Sequence, residues 1–222
     1  MIDNMISDND LKEIVEHISK DSRYGTDNSL GSQALRQCPM NNDNAIIAMK
    51  IAIIDMENST QLSRLLGHKK GRSLNLIDIV NKIQSIPFDA RVESGDRTLV
   101  SELSKWSSEK GLNLFSFFSK YCTYHNYDIY DKDDYSIYDN VVKERIGDYL
   151  TVDDCRFLFG DNIKIRKGQT ISSFVCNRIE EMRKSCDYES YCNVIDYVLD
   201  KHNITRDKKR RELDSYIWYK NR

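Results

Sequence analysis

Lys120 and Asp139 are the two residues whose types and spacing are best suited to covalent chemistry. Lys120 stands in an aromatic run, LFSFFSKYC, at residues 114–122. Burial among aromatic side chains favours the neutral amine over the ammonium, and a neutral amine is a nucleophile that forms Schiff bases. The simpler alternative is a lysine on the wet face of an amphipathic helix, with its stem lying on the aromatic side chains.

Asp139 follows Lys120 by nineteen positions and precedes a second apolar helical pattern. An aspartate at a helix start accepts backbone N–H bonds and stays ionised. On one continuous helix the two groups would lie about 28 Å apart. Residues 126–136 are rich in Asp, Asn and Tyr, however, and predict a loop that turns the chain back. We therefore expect Asp139 beside Lys120; a plain helix N-cap is the alternative for Asp139 alone.

The rest of the chain predicts an all-α fold, because apolar residues recur with helical rather than alternating period. The predicted helices cover residues 11–18, 45–56, 61–66, 74–86, 96–110, 114–125, 138–149, 151–159, 171–184, 188–202 and 206–219. Residues 45–56 are apolar nearly all round and predict a buried central helix. Residues 21–44 are polar and turn-rich and predict a mobile loop, and residues 162–166 are the one strand-like piece.

The bulk composition is that of a globular protein. The 222 residues, 40% of them hydrophobic, suit a single domain, and no apolar run approaches the roughly 20 residues that span a bilayer. The N-terminus is acidic and lacks a signal-peptide pattern, so a cytoplasmic location without membrane attachment is expected. Six cysteines without a C-x-x-C pair predict reduced thiols, with no metal and no cofactor. Glycine-rich phosphate loops and zinc-protease or serine-hydrolase motifs are absent from the sequence.

The spacing of Lys120 and Asp139 resembles the active site of the helix-hairpin-helix DNA glycosylases, and most closely the 8-oxoguanine glycosylase branch. Residues 114–120 match by position the family's hairpin frame, Leu-Pro-Gly-Val-Gly-x-Lys, without its glycines and proline. Residues 136–139 match the frame of the family's aspartate. The likeness covers about residues 112–146 and extends to bacterial proteins of antiphage-defence settings. It implies a compact, two-lobed helical domain over residues 1–222, with a degenerate helix-hairpin-helix motif and the active site between the lobes.

The resemblance also implies roles for these residues. Lys120 would attack C1′ of a flipped nucleotide, expel an oxidised guanine or a modified phage base, and leave a Schiff base that β-elimination can resolve, while Asp139 would stabilise the developing charge. The expected base pocket is Phe117, Phe118, Tyr121, Tyr124 and His125, with core packing as the alternative for these rings. The expected duplex wedge is Asn58, Ser59, Thr60 and Gln61, with Arg64 reading the orphaned base; a helix N-cap followed by surface residues is the alternative.

Double-stranded DNA is the partner that the resemblance implies, and the charge distribution permits it despite a net charge of −2. Residues 162–222 carry 14 basic and 9 acidic side chains, and residues 60–125 carry 10 and 6. The densest basic cluster, Lys208, Lys209, Arg210 and Arg211, would bind backbone phosphates, as would residues 68–72. The alternative for the cluster is a solvated helix face.

Two other functions fit the same residues. The chain could be a DNA-binding module without activity, or a protein-interaction subunit of a bacterial defence system. In the second, Lys120 and Asp139 would form a buried ion pair without catalysis.

Overall fold

The computed structural model describes residues 5–21, 24–58, 60–66 and 74–221. In this part of the chain the fold is all-α, as the sequence predicts, and contains no strand. Its thirteen α-helices are α1 (Asp8–Lys20), α2 (Tyr24–Gln37), α3 (Asn44–Asn58), α4 (Leu62–Leu65), α5 (Leu76–Gln84), α6 (Phe88–Glu93), α7 (Thr98–Glu109), α8 (Phe115–Tyr124), α9 (Asn140–Arg145), α10 (Val152–Phe159), α11 (Ile171–Ser185), α12 (Tyr188–Lys201) and α13 (Lys209–Lys220).

Three local expectations were wrong. Residues 21–44 are not a loop, because α2 forms within them and packs against α3 with Leu35 fully buried. Tertiary contact here overrides a polar, glycine-containing sequence. Residues 162–166 form no strand. Helix α3 is buried on one side rather than all round, since Met56 on it is 77% exposed.

The turn before α8 comes earlier in the sequence than the match to the glycosylase hairpin predicts. Helices α7 and α8 contact each other and are joined by residues 110–114. The frame assigned the hairpin to residues 114–120, but the chain is helical from Phe115, so Ser116 and Ser119 occupy helical positions rather than a turn. Helix α8 then continues as one π-helical turn, His125–Ile129.

An extended segment, residues 131–139, follows that π-turn and brings the chain back along α8. Among the described residues its backbone has no strand partner. Arg97, Asn126 and Arg210 bond to the backbone of residues 133 and 134, and side chains of α8 and α12 bond to that of residues 136–138. Ser119 Oγ accepts the Tyr138 N–H at 3.0 Å, and Ser116 Oγ donates to the Tyr138 carbonyl at 3.1 Å. From α12, Tyr188 and Tyr191 donate to the backbone carbonyls of the two residues before Tyr138, at 2.7 and 2.5 Å. Buried backbone polar groups need such partners, so these side chains fix the path of the segment.

No helix in the described ranges has both the length and the apolar character that crossing a bilayer requires.

We predict that Ser119→Ala destabilises the fold by about 1–3 kcal/mol, because the buried Tyr138 N–H loses its acceptor. Urea unfolding measures the change. Ser19→Ala on the exposed face of α1 is the matched control, since it removes one serine bond to a carbonyl within its own helix. Equal stability of the two variants would show that Ser119 does not hold the segment.

Candidate active site

Lys120 and Asp139 lie next to each other. The Lys120 Nζ is 3.6 Å from the Asp139 Oδ2, and only 6% of the lysine side chain is exposed. Asp139 is the N-cap of α9, and its Oδ1 accepts the Val141 N–H at 2.7 Å. Lys120 also donates to the Asn58 carbonyl at 3.4 Å. The backbone N–H and the ammonium both stabilise the Asp139 carboxylate, so the pair holds opposite charges in a fixed geometry.

A cavity of about 1280 Å³ contains this pair. Leu30 and Met56 line it and are 59% and 77% exposed, so the cavity opens to solvent beside α2 and α3. Ligand pockets usually measure roughly 300–1,000 Å³, which leaves room here for a whole nucleotide. Among the described residues, its charged lining is Glu57, Lys120, Asp139, Lys143, Glu180, Arg183, Arg211 and Asp214. Four basic and four acidic side chains therefore line one cavity, and its polar character comes from charges of both signs.

A chain of contacts crosses the cavity from α13 to α8. Asp214 lies 3.7 Å from Arg211, and Arg211 donates to the Tyr124 hydroxyl at 2.9 Å while its guanidinium lies 4.6 Å from the centre of that ring. Tyr124 in turn donates to the Asn58 Oδ1 at 3.2 Å. The backbone carbonyl of the same residue accepts from Lys120, so both Tyr124 and Lys120 of α8 bond to the end of α3.

A second group of contacts, the Glu180 cluster, fixes the start of α9. Arg183 and Tyr138 donate to Glu180 at 2.6 and 3.1 Å, and Lys143 lies 3.4 Å from the same carboxylate. The Arg183 hydrogen bond is the largest cause that lowers the pKa of Glu180, to about 2. Tyr138 directly precedes Asp139, so the cluster anchors the backbone from which the Asp139 carboxylate projects.

Of the five expected base-pocket residues, Tyr124 alone is among the described cavity-lining residues. Phe117, Phe118 and Tyr121 are packed in the hydrophobic core. The His125 Nδ1 lies 2.7 Å from the Tyr121 carbonyl, and burial lowers the pKa of His125 to about 3, so the ring is neutral at physiological pH. These four rings face the interior because α8 is buried on nearly all sides, and core packing accounts for them.

The expected wedge partly coincides with the cavity wall. Asn58, Thr60 and Gln61 line the cavity. Asp55 fixes their loop, because its carboxylate accepts hydrogen bonds from the Thr60 hydroxyl and, at 2.8 Å, from the Leu62 N–H. Gln61 adopts a left-handed conformation with φ of 56°.

Arg64, the expected reader of the orphaned base, stands apart from the cavity. It is exposed on α4 and donates to the Gln61 Oε1 at 3.2 Å. Ser59 and residues 68–72 lie outside the described residues.

The expected phosphate-binding cluster at the start of α13 pairs largely with carboxylates of the protein. The carboxylates come from the acidic 131–134 stretch and from α12, both of which the start of α13 contacts. Three of the four cations thereby stabilise the fold rather than form an unpaired patch, and the fourth, Arg211, lines the cavity. The three pairs are Lys208 with Asp131 at 2.9 Å, Lys209 with Asp200 at 3.4 Å and Arg210 with Asp196 at 2.6 Å.

Sequence reasoning missed Asp214 and Glu180 as residues of the cavity. Both lie on amphipathic helices far along the chain from Lys120, where an acidic residue indicates a solvated face. The one local signal is an arginine three residues away from each, Arg211 and Arg183, which is the spacing of an ion pair on a helix.

We predict that Glu180→Gln makes the free energy of unfolding less dependent on pH below 4.5. A carboxyl whose pKa falls from 4.5 to about 2 on folding contributes stability that is present above pH 4.5 and is lost as pH falls towards 2. The variant should lose about 1–3 kcal/mol at pH 7 and change less than wild type between pH 4.5 and 2. Urea unfolding at several pH values measures both. Glu181→Gln should behave like wild type, because Glu181 is exposed where it pairs with Arg178.

A comparison with protein-family models matches residues 10–131 to HI_0787_N, described as an N-terminal domain. The matched region includes Lys120 and ends before Asp139. No curated protein and no solved structure matches the chain significantly. The family model covers more than half of the 222 residues, and the chain belongs to the HI_0787_N family.

Proposed function

We propose that this protein is a DNA glycosylase that excises a damaged or modified base, with Lys120 as the nucleophile and Asp139 as the stabilising carboxylate. The observation that carries the proposal is the Lys120–Asp139 pair, 3.6 Å apart, with a buried lysine and a half-buried aspartate that both line a cavity large enough for a nucleotide. A buried ion pair that served packing alone would not require such a cavity.

The substrate reaches this pair only after the target nucleotide leaves the duplex stack, at a cost of a few kcal/mol. The loop at Asn58, Thr60 and Gln61 lines the cavity and suits a wedge that fills the resulting gap. Tyr124 offers a ring face and a hydroxyl on the same wall. Leu30 and Met56, both exposed, add an apolar surface to the opening on which a base can lie.

Asp139 stabilises the positive charge that develops on the sugar as the glycosidic bond breaks. Its Oδ1 accepts the Val141 N–H, and its Oδ2 lies 3.6 Å from the Lys120 Nζ. Lys120 attacks C1′ as the neutral amine, so a proton leaves the Nζ before the new bond forms. The product is a Schiff base between Lys120 and the sugar, and β-elimination of that adduct would cleave the strand.

Borohydride trapping tests this proposal. Wild-type protein is incubated with duplexes that contain 8-oxoguanine, an abasic site or glucosylated hydroxymethylcytosine, and a covalent adduct is expected on at least the abasic duplex. Lys120→Gln should give no adduct above background. Lys105→Gln, on the exposed face of α7, should trap like wild type.

Asp139→Asn removes the negative charge at this site and keeps a side chain that can cap α9. Asparagine caps helices as well as aspartate does, so the fold should be retained while base release slows on the order of 100-fold. Thermal unfolding checks the fold of each variant. Adduct formation that survives in Lys120→Gln would remove Lys120 as the nucleophile, and no adduct with wild type on any of the three duplexes would overturn the Schiff-base mechanism.

A further inference from the structure

Asp214 is a second carboxyl group in the cavity of Lys120 and Asp139, and no part of the proposed mechanism has used it. Its side chain is 17% exposed, and its nearest cation is Arg211, at the long distance of 3.7 Å. Within the described part of the chain its carboxyl accepts no hydrogen bond of the kind that Val141 gives Asp139. The two carboxyl groups therefore share a cavity but differ in how their charge is stabilised.

The charged and titratable groups around Asp214 come from each neighbouring element. Lys120 faces it from α8, Asp139 from the start of α9, and Arg211 from its own helix. On α12, the Tyr191 hydroxyl is satisfied by the Ile137 carbonyl at 2.5 Å. On α1, which also packs against α13, the titratable His17 bonds instead to Tyr219.

Burial dominates the protonation of Asp214. It raises the pKa of the carboxyl to about 6, with Asp139 acting in the same direction and Arg211 and Lys120 opposing. A carboxyl of this kind holds a proton close to neutral pH, whereas Asp139 accepts the Val141 N–H, a contact suited to a carboxylate. Where two acidic groups share a site and their environments separate their protonation, one is suited to donate a proton and the other to remain charged.

We propose that Asp214 is the acid that protonates the departing base, an assignment that rests on the glycosylase function proposed above. As the neutral Lys120 amine forms its bond to C1′, the glycosidic bond breaks and its electron pair moves to the base nitrogen. That nitrogen takes the proton of the Asp214 carboxyl. The products are a neutral base, a secondary ammonium at Lys120 and an Asp214 carboxylate, so one positive and one negative charge arise together. Arg211 is placed to stabilise the new carboxylate.

Asp214→Asn tests the assignment because it removes the proton donor and keeps the shape of the side chain. Trapping on an abasic duplex involves no departing base, so the variant should trap within about threefold of wild type. Base release from the 8-oxoguanine and glucosylated hydroxymethylcytosine duplexes should slow on the order of 100-fold. Asp207→Asn, an exposed aspartate before α13, is the matched control and should match wild type in both assays.

The pH profile distinguishes proton donation from a structural effect. In wild type, the ratio of base release to abasic trapping should fall as pH rises above about 6, where Asp214 loses its proton. In Asp214→Asn the ratio should be low and independent of pH. An equal loss of both reactions at every pH would overturn the assignment and leave Asp214 a structural residue.

A measurement without DNA separates failure of this assignment from failure of the proposed function. Carbon-13 NMR of carboxyl-labelled aspartate should show a resonance that titrates near pH 6 and disappears in Asp214→Asn, beside that of Asp133, whose pKa burial also raises to about 6. Titration of the Asp214 resonance below pH 5 would overturn the assignment even if the protein is a glycosylase. Failure of wild type to trap any duplex, with the resonance still near pH 6, would overturn the glycosylase function and the role of Asp214 with it.

Discussion

The buried path of residues 131–139 is the constraint on which the candidate active site depends. This extended segment has no strand beside it, yet its backbone polar groups cannot be left unpaired inside a protein. Hydroxyl groups of α8 and α12 take the place of a neighbouring strand. Because Ser119 holds the segment and directly precedes Lys120, the contact that fixes the segment also fixes the distance between Lys120 and Asp139.

The charges of the cavity are stabilised by different means, and these differences give the carboxylates different chemistry. Asp139 accepts a backbone N–H, and Glu180 accepts from arginine, tyrosine and lysine, which lower the pKa of Glu180 to about 2. Asp214 lies in the same cavity without such a hydrogen bond among the described residues, and its nearest cation, Arg211, is 3.7 Å away. Under the proposed function, these differences separate Asp139, which stabilises positive charge, from Asp214, which gives up a proton.

The sequence predicted most helices because their apolar periodicity is local, and it predicted the loop that returns Asp139 to Lys120. It failed where tertiary contact decides. Helix α2 is polar in sequence but is held by Leu35 against α3. The rings of α8 pack inward because the helix is buried on nearly all sides, which periodicity along one helix cannot reveal. Asp214 reaches the site because α13 packs near α8 and α9. No pattern in the sequence around Asp214 predicts this long-range contact.

The serines at positions 116 and 119 explain how this chain differs from the glycosylase frame that it resembles. Glycines in a hairpin turn let the backbone approach a DNA phosphate. Here both serines are helical, and their hydroxyl groups bond to the backbone of Tyr138. Those hydroxyl groups therefore hold the segment that leads to Asp139 and are not free to bind phosphate. If the protein acts on DNA, the duplex must be held by other surfaces, and the loop at Asn58, Thr60 and Gln61, fixed by Asp55 at the cavity wall, is the element best placed to meet it.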